Sequence, residues 1–400
     1  MKDESVRELQ ADPRRRPGSS FEQPATGPRP SPGITYPHGA PRGELKALTS
    51  VRGIAAWFVV FFHIRFALGL PDPEMHLLAK GYLAVDFFFL LSGFVIWMTW
   101  SERIRTGGLA AVPGFLQRRV ARVWPLHLVM LGFGVAIAAA LELTGRGSDQ
   151  FPWHELPLHI LLLQNWGFTP HLTWNDPAWS ISCELAAYLL FPLLALAIDW
   201  RRVPSWGVVA AISVLLGLLH LVFASRGAWA LGQEITSLGL IRCLLEFAAG
   251  TAVAALWLRW RDAWRAPTLA SGALALALAA GWALGLPETL AAPALFAALL
   301  LALALTSARP GNPLEIAPLH YLGEISYATY LSHYLLWFAF KLAFVRDAHA
   351  VSWPLVIGFL ALVLLASVAL YHLVERPAQR LVNGVRLRAA PSEALRSPRG

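Results

Sequence analysis

Leu48-Thr-Ser-Val-Arg-Gly-Ile-Ala-Ala-Trp-Phe-Val-Val-Phe-Phe-His63 is the stretch whose reading decides the fold. From Leu48 to Leu70 the chain is long and apolar enough to cross a bilayer as one helix. It still carries Arg52 and His63, and ionisable groups inside hydrocarbon are expensive enough to need a partner or a task. The two are eleven residues apart. At 100° per residue they project within ~20° of each other, separated by roughly 16 Å along the axis. One helix face therefore offers a fixed cation near one membrane surface and a titratable imidazole well across the bilayer. This geometry suits a ligand with an anionic head and a reactive tail.

The rest of the chain has the same character. Of its 400 residues 56% are apolar and 14% charged, and the mean hydropathy is +0.51. These values exclude a soluble globular protein and indicate an all-α polytopic membrane protein. The net charge of +8 does not point to nucleic acid, because the basic residues cluster between apolar spans, where topology signals belong. Hydropathy gives ten candidate spans, at about 48–70, 81–100, 124–143, 179–198, 206–224, 238–258, 268–286, 290–307, 321–344 and 354–374. A further apolar piece, Leu158-His-Ile-Leu-Leu-Leu163, is too short to cross and reads as interfacial or re-entrant. Residues 1–44, rich in proline and carrying Arg14-Arg15-Arg16, read as a disordered cytoplasmic tail, and residues 381–400 as a basic cytoplasmic tail. Between them, residues 45–380 form one transmembrane domain.

Charge sets the expected orientation. The segments holding Arg103, Arg105, Arg118, Arg119 and Arg122, then Arg201-Arg202, then Arg259, Arg261 and Arg265, alternate with segments nearly free of basic residues. The first group reads as cytoplasmic loops, with both termini on the same side. His63 then lies towards the outer end of the first span, Asp86 in the outer half of the second, and Glu184, with Ser182 beside it, in the outer half of the fourth. An imidazole beside one or two carboxylates is a way to tune a general base. Arg242 and Glu246, four apart, read as an intrahelical ion pair. Tyr330 and His333 in the ninth span could line a substrate path or bond between helices. Cys183 and Cys243 lie within spans and support neither a disulfide framework nor a thiolate metal site. The three histidines of the 153–179 loop match no metal-ligand spacing, so no metal is expected.

Several motifs follow one another in a fixed order. They are the Arg-x10-His spacing of the first span and Gly81-Tyr-Leu-Ala-Val-Asp-Phe-Phe-Phe-Leu-Leu-Ser-Gly-Phe-Val-Ile96. Phe115-Leu-Gln-Arg-Arg-Val-Ala-Arg-Val-Trp-Pro125 and Trp179-Ser-Ile-Ser-Cys-Glu184 come next. Leu322-Gly-Glu-Ile-Ser-Tyr-Ala-Thr-Tyr-Leu-Ser-His333 and Glu375-Arg-Pro377 close the series. Together they resemble acyltransferase family 3, integral membrane O-acyltransferases, over about residues 45–380. After Glu184 the chain has Leu185-Ala186-Ala187, where that family often shows a second acidic residue and an aromatic.

The resemblance implies transfer of an acyl group, most often acetyl, from cytoplasmic acyl-coenzyme A to a hydroxyl of an extracytoplasmic or lipid-linked acceptor, commonly a carbohydrate. It implies a multi-pass protein of a bacterial plasma (inner) membrane, with His63 catalytic, Arg52 at the donor site, and Arg119 and Arg122 at the cytoplasmic mouth. Guanidinium forks pair bidentately with phosphates, which gives Arg119 and Arg122 a physical reason to meet the donor's head. The alternative is a proton-coupled secondary transporter that uses His63, Asp86 and Glu184 as a relay. The missing repeat symmetry and the absence of paired broken helices speak against it.

Overall fold

The computed structural model describes residues 44–347 and 351–385; the tail expected over residues 1–44 lies outside them except for Glu44, as does most of the tail expected over 381–400. Inside a bilayer a backbone must satisfy its own polar groups, and every long apolar run here does so as a helix. Ten helices of eighteen residues or more result among the described residues: α1 (Lys46–Ile64), α2 (Ala84–Gly107), α3 (Val112–Leu143), α4 (Ala178–Ala197), α5 (Ser205–Ser225), α6 (Ile235–Trp260), α7 (Arg265–Ala283), α8 (Glu288–Thr306), α9 (Ser326–Phe344) and α10 (Trp353–Leu370). No strand is present among the described residues. Eight segments are long and apolar enough to cross a membrane, one of which, residues 72–143, holds both α2 and α3. The chain is an all-α polytopic membrane protein.

Burial sorts the helices. α6 is buried over 78% of its most apolar window and α7 over only 11%, so α6 is central and α7 peripheral. α2 packs along α6 at unusually close range. A Cβ placed on Gly93 would lie 1.9 Å from the Phe247 carbonyl oxygen, and one on Gly250 would lie 2.0 Å from that of Leu90. Only glycine allows this crossing. Aromatic rings then join α2, α3 and α4, with Phe115 packed against Trp100 (centroids 5.4 Å) and Phe191 (5.3 Å). Such pairs contribute ~0.5–1.5 kcal/mol each beyond their burial.

Three boundaries differ from expectation. The segment expected as a loop before residue 124 is helical from Val112, so Arg118, Arg119 and Arg122 sit on the first turns of α3, and Arg103 and Arg105 on the last turns of α2. Pro125 lies inside α3. The ninth span is divided at Ile325 into a short helix, Ala317–Glu324, and α9. After α10 the chain passes through a π-turn, Tyr371–Glu375, into the helix Arg376–Gly384.

The long connection between α3 and α4 is tied down throughout. Its six-residue helix, Leu156–Leu161, packs beside the middle of α3, where Trp124 Nε1 donates to the Ile160 carbonyl (2.9 Å) and His127 Nε2 to that of His159 (2.7 Å). It therefore folds back alongside the bundle, as a segment too short to cross does.

Candidate active site

Arg52 and His63 do share a face of α1, and both meet α9. Arg52 Nε donates to Ser326 Oγ (2.9 Å) and Nη2 to the Gly323 carbonyl (2.8 Å). The approach is possible because Gly53 and Gly323 carry no side chain: a Cβ on Gly53 would sit 2.6 Å from Gly323 N. Arg52 is thereby held rigid against the junction of the Ala317–Glu324 helix and α9.

Two more arginines converge on it from α3. Arg122 donates to Glu375 Oε1, and its guanidinium lies 5.2 Å from the centre of the Tyr327 ring. Arg119 stacks over Tyr188 at 5.7 Å, and its Nε is buried without a hydrogen-bond partner. All three line one cavity of about 160 Å3, whose wall also includes Glu184 and, further along, Phe88 and Tyr330. The cavity is thus cationic at one end and lined by apolar and aromatic side chains beyond it. The sequence missed Tyr188, Tyr327 and Ser92, the groups that orient its charged walls.

Tyr330 stands on the cavity wall, its hydroxyl 2.7 Å from Ser180 Oγ and donating to the Pro177 carbonyl (3.2 Å). Its ring centroid lies 6.2 Å from that of His333, which in turn is 4.9 Å from that of His63. His63 itself does not line the cavity; it sits beyond this aromatic layer. His63 Nδ1 lies 3.0 Å from the Val59 carbonyl and 3.1 Å from His333 Nε2, while His333 Nδ1 lies 3.1 Å from the Thr329 carbonyl. A carbonyl only accepts, so each ring carries its proton on Nδ1. His63 Nδ1–H is shared between Val59 and His333, and His63 Nε2 is left with a free lone pair. That atom can take a proton from a hydroxyl group.

The other expected members divide. Glu184 is on the cavity wall, accepting from Ser92 Oγ. Asp86 is turned away, bound bidentately by Arg242 from α6, with Nε to Oδ1 at 2.7 Å and Nη2 to Oδ2 at 2.5 Å, both side chains buried. The Arg242–Glu246 pair expected within one helix is thus replaced by an interhelical one. Neither carboxylate hydrogen-bonds to His63; His333 holds the place expected for them. Ser182 is a fastener: it donates to the Leu162 carbonyl (2.7 Å) and accepts from Asn165 N (3.2 Å). Asp176, unremarked in the sequence, lies just before α4 between Asn175, bonded to the Leu331 carbonyl (2.9 Å), and Pro177, bonded to Tyr330. Burial pushes its carboxyl up to about 6. Among the described residues no group of three or more His, Cys, Asp and Glu side chains is arranged to hold a metal ion.

A membrane bundle with converging arginines, a narrow cavity and a histidine with a free ring nitrogen has the equipment of a group-transfer enzyme. The sequence comparison supplies the family. Residues 45–372 match the model of the acyltransferase domain family, and the chain belongs to that family of membrane O-acyltransferases. It is 35% identical to acyltransferase MdmB of Streptomyces mycarofaciens, over 85% of this chain and 92% of that protein. It is 28% identical to exopolysaccharide production protein ExoZ of Rhizobium meliloti (strain 1021), over 79% of this chain and 96% of that protein. No solved structure matches the chain significantly.

Proposed function

We propose that this O-acyltransferase carries an acyl group, acetyl in the first instance, from cytoplasmic acyl-coenzyme A to a hydroxyl of an extracytoplasmic or lipid-linked carbohydrate in a bacterial inner membrane. The observation that carries the reading is the convergence of Arg52, Arg119 and Arg122 on one cavity that ends an aromatic layer short of His63. In this reading the arginine-rich end faces the cytoplasm, which the charge distribution supports. The donor's phosphates rest on Arg119 and Arg122, and its thin arm passes Arg52 towards His63. The name of ExoZ ties that protein to exopolysaccharide production, which supports a carbohydrate acceptor here.

The chemistry follows from the ring assignments. His63 Nε2 takes the proton of the acceptor hydroxyl as its oxygen attacks the thioester carbonyl. The C–S bond breaks, an O–C bond forms, and the departing thiolate receives the proton from the imidazolium. His333 Nε2 accepts from Nδ1–H throughout and holds the ring in orientation. Glu184 shapes the donor cavity; Asp86, fixed by Arg242, and Ser182, fixed to the loop, position helices.

His63→Ala tests this directly. Acyl transfer should vanish in proteoliposomes while binding of acyl-coenzyme A to the purified protein persists. Residual transfer near the wild-type rate would overturn the assignment.

A further inference from the structure

A second cavity, of about 720 Å3, shares no lining residue with the site just described and lies between α5, α6, α7 and α8. Its walls are leucine, alanine, valine, isoleucine and Pro267, with Ser213, Ser271 and Trp260 as the polar side chains, and Ser271 spends its hydroxyl on the Pro267 carbonyl at 2.7 Å. On α7 the lining runs from Ala266 to Leu278, a rise of roughly 18 Å. That depth exceeds one leaflet of a hydrocarbon core ~30 Å thick. α7 is the least buried of the membrane-crossing helices, so this space is what separates it from α5 and α6.

The end of the cavity marked by Trp260, Ala266 and Pro267 adjoins a cluster of cations. Arg261, Arg265 and Arg309 stand around Trp257 and Trp264, with guanidinium carbons 5.6, 5.7 and 5.1 Å from the ring centres. Arg309 Nη2 donates to the Arg261 carbonyl (2.6 Å), which ties the Arg309 guanidinium to the backbone at the end of α6. Arg261 Nη1 and Arg309 Nε are buried with no hydrogen-bond partner. No ion pair joins any of the three to a carboxylate among the described residues; the exposed Asp262 is the acidic neighbour in sequence. Arg259, two residues before Arg261, is fully engaged by Ser205 and the carbonyls of Trp200, Arg201 and Val203. Unused donors beside an apolar slot of this depth call for an anion with hydrocarbon attached.

We infer that this slot is a binding site for an anionic glycerophospholipid, whose phosphate is held by Arg261, Arg309 and Arg265 and whose acyl chains complete the packing of α7. The site is independent of the acyl-transfer chemistry. Basic residues at a membrane surface favour anionic over zwitterionic headgroups, and each buried methylene adds to retention.

The test uses the full chain, reconstituted in nanodiscs of equal parts dioleoyl phosphatidylglycerol and dioleoyl phosphatidylcholine, then released into mild detergent for native mass spectrometry. The wild type should retain phosphatidylglycerol in preference to phosphatidylcholine by roughly tenfold. Arg261→Gln with Arg309→Gln should bring the two lipids to parity, and Ala270→Trp, which fills the slot from α7, should reduce retention of both. Where the double variant does not purify as a single species, the exposed Arg265→Gln carries the same expectation of a reduced preference. Equal retention of both lipids by the wild type would show ordinary solvation by lipid and overturn the proposal. So would a preference that survives the arginine variants, or a slot filled by a second copy of the chain in place of lipid.

Discussion

His63 Nδ1 and His333 Nε2 lie 3.1 Å apart, and carbonyls behind each ring fix the direction of the bond, from His63 to His333. A neutral imidazole thus does the orienting that a carboxylate does in many histidine-based sites.

His333→Ala should lower kcat and leave KM for acyl-coenzyme A unchanged, because the cavity proposed for the donor does not include this ring. General acid–base catalysis is worth ~10²–10⁴-fold in all. Loss of the orienting group should fall at the lower end, roughly 10- to 100-fold. His333→Gln, which restores an acceptor, should recover part of it. Steady-state kinetics in proteoliposomes separates this from misfolding, which would lower active enzyme without rescue.

Arg119 and Arg122 should respond differently. Arg119 has no ion pair among the described residues, so Arg119→Gln should weaken acyl-coenzyme A binding by about 10- to 100-fold, the worth of one charge-assisted bond, with little change in Tm. Arg122→Gln also strips Glu375 of its partner and should lower both affinity and Tm. Calorimetric titration and thermal unfolding in detergent distinguish the two. Binding by Arg119→Gln at wild-type strength would remove it from the donor site.

Asp86 and Arg242 form a buried pair, and breaking such a pair costs about 3–5 kcal/mol. Asp86→Asn should therefore destabilise the protein strongly. Asp86→Leu combined with Arg242→Met should restore most of the loss and, with it, acyl transfer. If the stable double variant stayed inactive, Asp86 would have a part in the chemistry.

Asp176 supplies a pH dependence. Its folded value of about 6 lies above the ordinary range of an aspartate, so the native state holds this proton more tightly than the unfolded chain. Its contribution to stability is therefore greatest at low pH and declines as pH rises from about 4 through 6. Asp176→Asn should match the wild type near pH 4 and be the more stable of the two above pH 6. Unfolding followed across that range is the measurement; parallel curves would mean that the carboxyl is well solvated.

Orientation can be read with cysteines. In a background of Cys183→Ala and Cys243→Ala, Ser148→Cys should react with an impermeant maleimide in intact cells. Asp262→Cys should react only after permeabilisation. The reverse pattern would invert the bundle.

The ten helices were legible because hydrocarbon leaves an apolar run of that length one solution. Their rotations were not. Counting residues from helix ends placed Asp86 at the level of His63, yet depth says nothing of azimuth, and Asp86 points to α6. The first turns of α3 looked like a loop because arginines at that density suggest water; there they face a cavity and Glu375 instead. Arg52 and His63 survived the passage to three dimensions because their relation is internal to one helix. The partner of His63 could not be found that way, since His333 lies 270 residues further on.

α1 has no proline or π-turn between Arg52 and His63, and backbone contact at Gly53 and Gly323 prevents it from sliding along its neighbour. On the donor path proposed above, the rise of roughly 16 Å between the two residues acts as a ruler. A ruler measures the carrier and takes no account of the cargo. Thioesters on a truncated arm should be poor donors whatever acyl group they bear, whereas lengthening the acyl group on an intact arm alters only what protrudes past the mark.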